Sequence, residues 1–134
     1  MLKRQKKYID RIDHLVLTVS SIEKTCNFYS TALGMDVITF DGDRKALLFG
    51  TQKINLHQKG KEYEPKAKYP TPGSADLCFV TSLPIAEVSA HLRSLGVHVI
   101  EGPVSRVGAL GNMTSLYVRD PDMNLIEVAK YDSI

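Results

Sequence analysis

A chain of 134 residues, 24% of them charged, holds one ordinary domain with a real core and excludes two independent ones. The formal net charge of +2 is small, and the rest of the chain carries no basic stripe; the local cluster over residues 1–11 (Lys3, Arg4, Lys6, Lys7, Arg11) is expected to be a solvated, frayed end in preference to a nucleic-acid or membrane contact. No apolar run follows the arm, so neither a secretory signal nor a membrane span is expected, and two cysteines in such a chain point to free thiols in a reducing cytoplasm.

From Ile12 the run IDHLVLTV predicts a strand. Ser20 and Glu23 predict a capping box, and Ile22, Cys26, Tyr29 and Leu33 fall at helical spacing until Gly34 stops the helix. Cys26 on that helix reads as core packing. Strands are expected over 36–40, 45–49 and 53–57, divided by the turn DGDR and by Gly50-Thr51. Residues 59–73, rich in proline and lysine, read as a linker. SADLCFVT then predicts a strand, with Cys78 packed in the core, and Ser82, Pro84 and Gly96 frame a second helix. Strands follow at 97–100, 114–118 and 125–129, with EGPVSRVGALGN as a loose loop between the first two.

Ser20 and Ser82, Gly34 and Gly96, and Val37 and Val99 are each 62 residues apart, which predicts a duplicated βαβββ unit. The domain spans 12–134, with modules at 12–58 and 74–130. The same offset carries His14 to Asp76. His57 in KINLH and Glu127 in NLIEV occupy the last strands at an offset of 70, the difference being assigned to the longer loop.

Any one of these residues alone reads as an ordinary hydrogen-bonded strand residue. Four ionisable residues at repeat-related positions, each among apolar neighbours, favour a shared cation, since a buried carboxylate needs a partner. Two imidazoles with one or two carboxylates suit one divalent ion (Zn, Ni, Mn, Co or Fe), with positions left open for substrate. If the sheets curve toward each other, His14, His57, Asp76 and Glu127 converge in one cup.

Through IDHLVLTV, FYSTALGM and DPDMNLIEV the chain resembles the vicinal oxygen chelate superfamily of glyoxalases, bleomycin-resistance proteins and extradiol dioxygenases. Within it, KINLHQKGKEYEPKA, TPGSADLC and EGPVSRVGALG look most like the glyoxalase domain-containing protein 5 group and bacterial virulence-associated relatives. The resemblance implies an α+β fold in which two βαβββ modules form a curved mixed sheet around a metal-binding cup. It places metal ligands at His14, His57, Asp76 and Glu127. It also implies a homodimer that binds a small-molecule substrate, while the cytoplasmic location and the lack of nucleic-acid and membrane partners are expected from the cysteines, charge and hydropathy.

The activity so implied is that of a glyoxalase-like lyase or isomerase. It would act on a small α-oxo or α-hydroxy carbonyl compound through a metal-stabilised enediolate, with Glu127 moving the proton. Thr18 stands where glyoxalase I-like sequences often carry the arginine that helps bind the glutathione carboxylate. The segment VSRVGALGN offers another anion contact, through Arg106 with Gly108 and Gly111. The alternatives are an Fe(II) extradiol-type dioxygenase and a non-catalytic drug-binding resistance protein.

Overall fold

A computed structural model describes residues 5–133. The first module contains β1 (His14–Val19), α1 (Ile22–Thr31), β2 (Asp36–Phe40), β3 (Arg44–Phe49) and β4 (Gln52–Gln58). The second contains β5 (Asp76–Val80), α2 (Ile85–Ser94), β6 (Glu101–Gly108), β7 (Gly111–Arg119) and β8 (Leu125–Tyr131). The duplication is therefore real, and the fold is α+β. The sheets are two, ordered β1-β4-β3-β2 and β5-β8-β7-β6, and do not join into the single curved sheet expected. In each, the first and last strands of the module pair in parallel and the others antiparallel.

The apolar faces of both sheets feed one core. Leu17, Val19, Ile54 and Leu56 from the first meet Leu116, Val118, Ile126 and Val128 from the second, with Tyr29 of α1 and Leu92 of α2 between them. The Tyr29 hydroxyl donates to Asp120 Oδ2 at 2.7 Å, tying the first helix to the turn that precedes β8. That turn also accepts from the Ser20 amide through Asp122, at 3.2 and 3.3 Å.

This last contact explains why the expected capping box fails. The Ser20 amide is engaged by Asp122 and its carbonyl by Gln58 Nε2, so it stays extended. Ser21 becomes the cap, its hydroxyl accepting from the Lys24 amide at 3.2 Å. The stop signals hold: Gly34 and Gly96 sit at φ 71° and 75°, the left-handed region that closes a helix. The cap of α2 is Pro84, with Ser82 left in the turn before it.

The largest departure concerns β6. The strand expected at 97–100 lies instead at Glu101–Gly108, and the supposed loose loop is a β-hairpin with only Ala109 and Leu110 at its tip. Gly102 and Pro103 disguise it. A proline is tolerated because β6 is an edge strand and the register shifts between Glu101 and Val104. Of the basic arm, Lys3 and Arg4 lie outside the described residues, while residues 5–13 form no helix or strand.

Candidate functional site

Residues in register on parallel strands project to the same side. His14, Val16 and Thr18 of β1 therefore share a face with Lys53, Asn55 and His57 of β4. Asp76, Cys78 and Val80 of β5 share one with Leu125, Glu127 and Ala129 of β8. Both faces turn away from the common core; they are open at the outer strands, where Val16 is 44% exposed and Val80 63%, and covered at Asn55, His57 and Ala129.

The register corrects one correspondence. His14 lies beside Lys53 and Asp76 beside Leu125, so the counterpart of Glu127 is Asn55, at an offset of 72. His57 is two residues further along the same face, level with Ala129. An error of two preserves strand parity, so the expected face was right and the level was not.

Among the described residues, Asn55 Oδ1 and Glu127 Oε2 are two of five buried side-chain atoms without a hydrogen-bond partner, the others belonging to Thr25, Arg44 and Ser115. Each such orphan costs about 1–3 kcal/mol unless something else satisfies it. Two orphaned acceptors at matched positions on two sheets are what a cation or a donor-rich ligand would complete.

His14 opens β1 instead of lying at its centre, and its Nδ1 is 2.9 Å from Asp13 Oδ2. A carboxylate on one ring nitrogen is the usual support behind a metal-bound imidazole. Asp76 likewise opens β5 and is exposed. Among the described residues of one chain, no three His, Cys, Asp or Glu side chains converge as a metal site. His14 and Asn55 stand on one open face, Asp76 and Glu127 on the other.

His57 is only 3% exposed, yet its ring makes no hydrogen bond among the described residues. Tyr63, from the linker, packs edge-on against it at 5.6 Å, and Arg44 stacks on Tyr63 at 4.3 Å. Burial first, and then the Arg44 charge, hold the imidazole pKa below its ordinary value, with Glu62 opposing. His57 is thus a neutral imidazole with unused hydrogen-bonding capacity.

Cys26 packs against the core as expected. Cys78 does not, because its position in register with Glu127 turns it to the open face. Burial, the neighbouring Glu127 charge and hydrogen bond, and Asp76 push its thiol up to about 11. It is a thiol at neutral pH and a poor nucleophile.

Arg106 is committed within its own sheet. Its Nε donates to Tyr117 Oη at 2.9 Å, Nη1 to the Ser105 carbonyl at 2.9 Å and Nη2 to Glu101 Oε1 at 3.4 Å. Gly108 and Gly111 pair with each other to close the hairpin. A Cβ on Gly108 would lie 2.7 Å from Met113 Sδ and 2.8 Å from Tyr131 Oη. Here Gly108 leaves room for the Met113 and Tyr131 side chains, and Gly111 supplies a backbone at φ 139°.

One cleft was not foreseen from the sequence. It measures about 510 Å³ and opens between the β1–β4 edge and the linker, with His57, Thr18, Lys66, Pro65, Tyr69 and Ser74 on its walls. None of Arg106, Gly108 and Gly111 lines it. The signal was the linker itself: its prolines and lysines, read as a connector, form a wall of the cleft.

The model of the Glyoxalase/Bleomycin resistance protein/Dioxygenase superfamily matches residues 11–128. Virulence protein STM3117 of Salmonella typhimurium is 59% identical over 123 residues, 92% of this chain and 85% of that protein. Its crystal structure superposes with a TM-score of 0.92, covering 93% of this chain and 99% of that one. Glyoxalase domain-containing protein RDO1 of Mycosarcoma maydis is 56% identical over 131 residues, 96% of this chain and 74% of that protein. An integron cassette protein from the mobile metagenome of V. cholerae superposes with a TM-score of 0.93 at 52% identity, over 96% of this chain and all of the other.

Proposed function

The chain belongs to the Glyoxalase/Bleomycin resistance protein/Dioxygenase superfamily, and from that premise we propose that it is a divalent-metal-dependent, glyoxalase-like enzyme acting on a small α-oxo or α-hydroxy carbonyl compound. The observation that carries the reading is the matched pair of buried, unpartnered acceptors, Asn55 Oδ1 and Glu127 Oε2. The donors fit such an ion. The His14 imidazole, the Asp76 and Glu127 carboxylates and the Asn55 amide oxygen combine borderline nitrogen with hard oxygen, a set suited to Zn, Ni, Mn, Co or Fe. His57, offered by the sequence as a ligand, is assigned to the substrate side because its ring lines the cleft.

When bound, the ion supplies Lewis-acid polarisation of the substrate's oxygens. The chain's own part is proton transfer and positioning. Glu127 is the base, taking the proton from the hydroxyl-bearing carbon of an α-hydroxy carbonyl compound, or of a 2-oxoaldehyde in its hydrated or thiol-adduct form, and returning it to the adjacent, former carbonyl carbon while the hydroxyl proton passes to the former carbonyl oxygen. The adjacent Cys78 stays protonated and so adds no competing negative charge. Thr18 brings no cation to the place where an arginine would hold a glutathione carboxylate, which favours substrates that do not depend on that contact.

Elemental analysis of the purified protein, reconstituted with each of the five metals, is the direct test. One ion per chain is expected, lost in His14→Ala and Glu127→Gln and kept in His57→Ala. Glu127→Gln should also lower turnover of 2-oxoaldehydes or α-hydroxy ketones by about 10²-fold or more. A folded protein that takes up no metal overturns the reading, whatever small molecules it binds.

A further inference from the structure

We propose that the cleft beneath the linker binds a small organic carboxylate, with Lys66 taking the carboxylate and His57 and Thr18 taking an oxygen function on the adjacent carbon. The cleft's size, about 510 Å³, falls in the range of small-molecule sites. Its polar groups divide into spent and free. The Ser74 hydroxyl already donates to the Thr71 carbonyl at 2.8 Å, and the Thr71 hydroxyl to the Tyr69 carbonyl at 3.1 Å. Asn124 is committed on both sides, its oxygen to the Ala75 amide at 2.8 Å and its nitrogen to Asp120 at 2.8 Å.

Four groups remain, of which the Tyr69 hydroxyl belongs to a largely exposed side chain and the other three carry the proposal. Among the described residues, the rings and hydroxyls of His57 and Thr18 have no hydrogen-bond partner, and Lys66 has only a loose contact to Glu64 at 3.6 Å. His57 is the central member, because its ring lines the cleft and makes no hydrogen bond among the described residues, which leaves its nitrogens available to a ligand. An ammonium, a hydroxyl and an imidazole can all donate, and among the described residues no carboxylate lines the cleft itself, Glu64 standing 3.6 Å from the Lys66 ammonium, so the set favours an anion over a cation. The remaining walls, including Val16, Pro65 and Ala75, are apolar and leave room for a short carbon body.

This inference supplies a ligand class for the enzyme reading, on which it rests in this one respect: an acid bearing a keto or hydroxyl group next to its carboxylate, the 2-hydroxy acid being what isomerisation of a hydrated 2-oxoaldehyde releases. The binding itself rests on the cleft and not on the metal, so the two can fail separately. The experiment is NMR titration of the full chain, as purified and again after chelation, with pyruvate, L-lactate, hydroxyacetone and inorganic phosphate as probes. Pyruvate and lactate should shift the Thr18, His57 and Lys66 resonances in both preparations, and hydroxyacetone and phosphate should not. Lys66→Gln should weaken pyruvate binding by about tenfold or more, the usual loss for a hydrogen bond to a charged group, while Lys66→Arg restores it. No shift at these residues with either acid, or shifts as large with hydroxyacetone or phosphate, overturns the proposal. Shifts that survive chelation while the protein proves unable to bind metal keep this proposal and remove the enzyme reading.

Discussion

At the residue scale, His57 sets a pH dependence. Its folded-state pKa lies below the ordinary value of 6.5, first because of burial and then because of Arg44. Between the depressed folded value and 6.5 the unfolded chain binds more protons than the folded one, so stability rises with pH across that window and is lost as pH falls through it. Urea midpoints at pH 7.5 and 5.0 are expected to differ less in His57→Gln than in the wild type. An unchanged difference between the two pH values would mean that the imidazole is not the group concerned. The same residue marks the limit of what the sequence made legible. Its strand and its face follow from alternation alone. Its level on the face depends on where the strands begin relative to each other, and a two-residue change in loop length moves that level without disturbing any periodic signal. Asn55, neutral and unremarkable in KINLH, gave no sequence signal at all; only the register beside Val16 places it opposite the role of Glu127.

At the element scale, the turn between β7 and β8 holds the two modules together. Asp120 is 4% exposed and accepts from the Asp122 amide at 2.9 Å, the Asn124 amide at 3.0 Å and side chain at 2.8 Å, and the Tyr29 hydroxyl at 2.7 Å. Its partner Tyr29 is fully buried, and burial together with Asp120 raises the phenol well above its usual range, so it stays a donor. Tyr29→Phe removes that donor and leaves a buried carboxylate oxygen short of one partner, which should lower stability by about 1–3 kcal/mol. Urea unfolding reads the loss as a lower midpoint at unchanged slope; a midpoint equal to the wild type's would show that the Asp-Pro-Asp turn closes without the helix. Here the sequence was legible in part. The cluster Asp120, Pro121 and Asp122 announced a turn, but nothing local could reveal that its carboxylates serve Tyr29 and Ser20 about a hundred residues away. The hairpin of β6 was missed for the opposite reason: Gly102 and Pro103 signal a break, and only tertiary pairing with β7 at a sheet edge makes the segment a strand.

At the scale of the whole molecule, the two sheets turn their apolar faces to one core, so their open faces look outward and each carries half of the proposed ligand set. Among the described residues of one chain that set does not converge, and we propose that an isologous pair closes it, the His14 and Asn55 face of each chain meeting the Asp76 and Glu127 face of the other. A mass near twice 14.9 kDa is therefore expected by sedimentation equilibrium. Mass alone does not show that the site is shared, and a mixing experiment does. His14→Ala and Glu127→Gln chains each make symmetric dimers with both sites broken. In a mixed dimer, one site collects both substitutions and the other receives His14 from one chain and Glu127 from its partner, both intact. Random reassortment makes half the dimers mixed, so about a quarter of the wild-type metal content should return after unfolding and refolding the two variants together. Recovery near zero, with each variant folded and dimeric, would place the whole site within one chain and require the open faces to approach each other by a rearrangement of the common core.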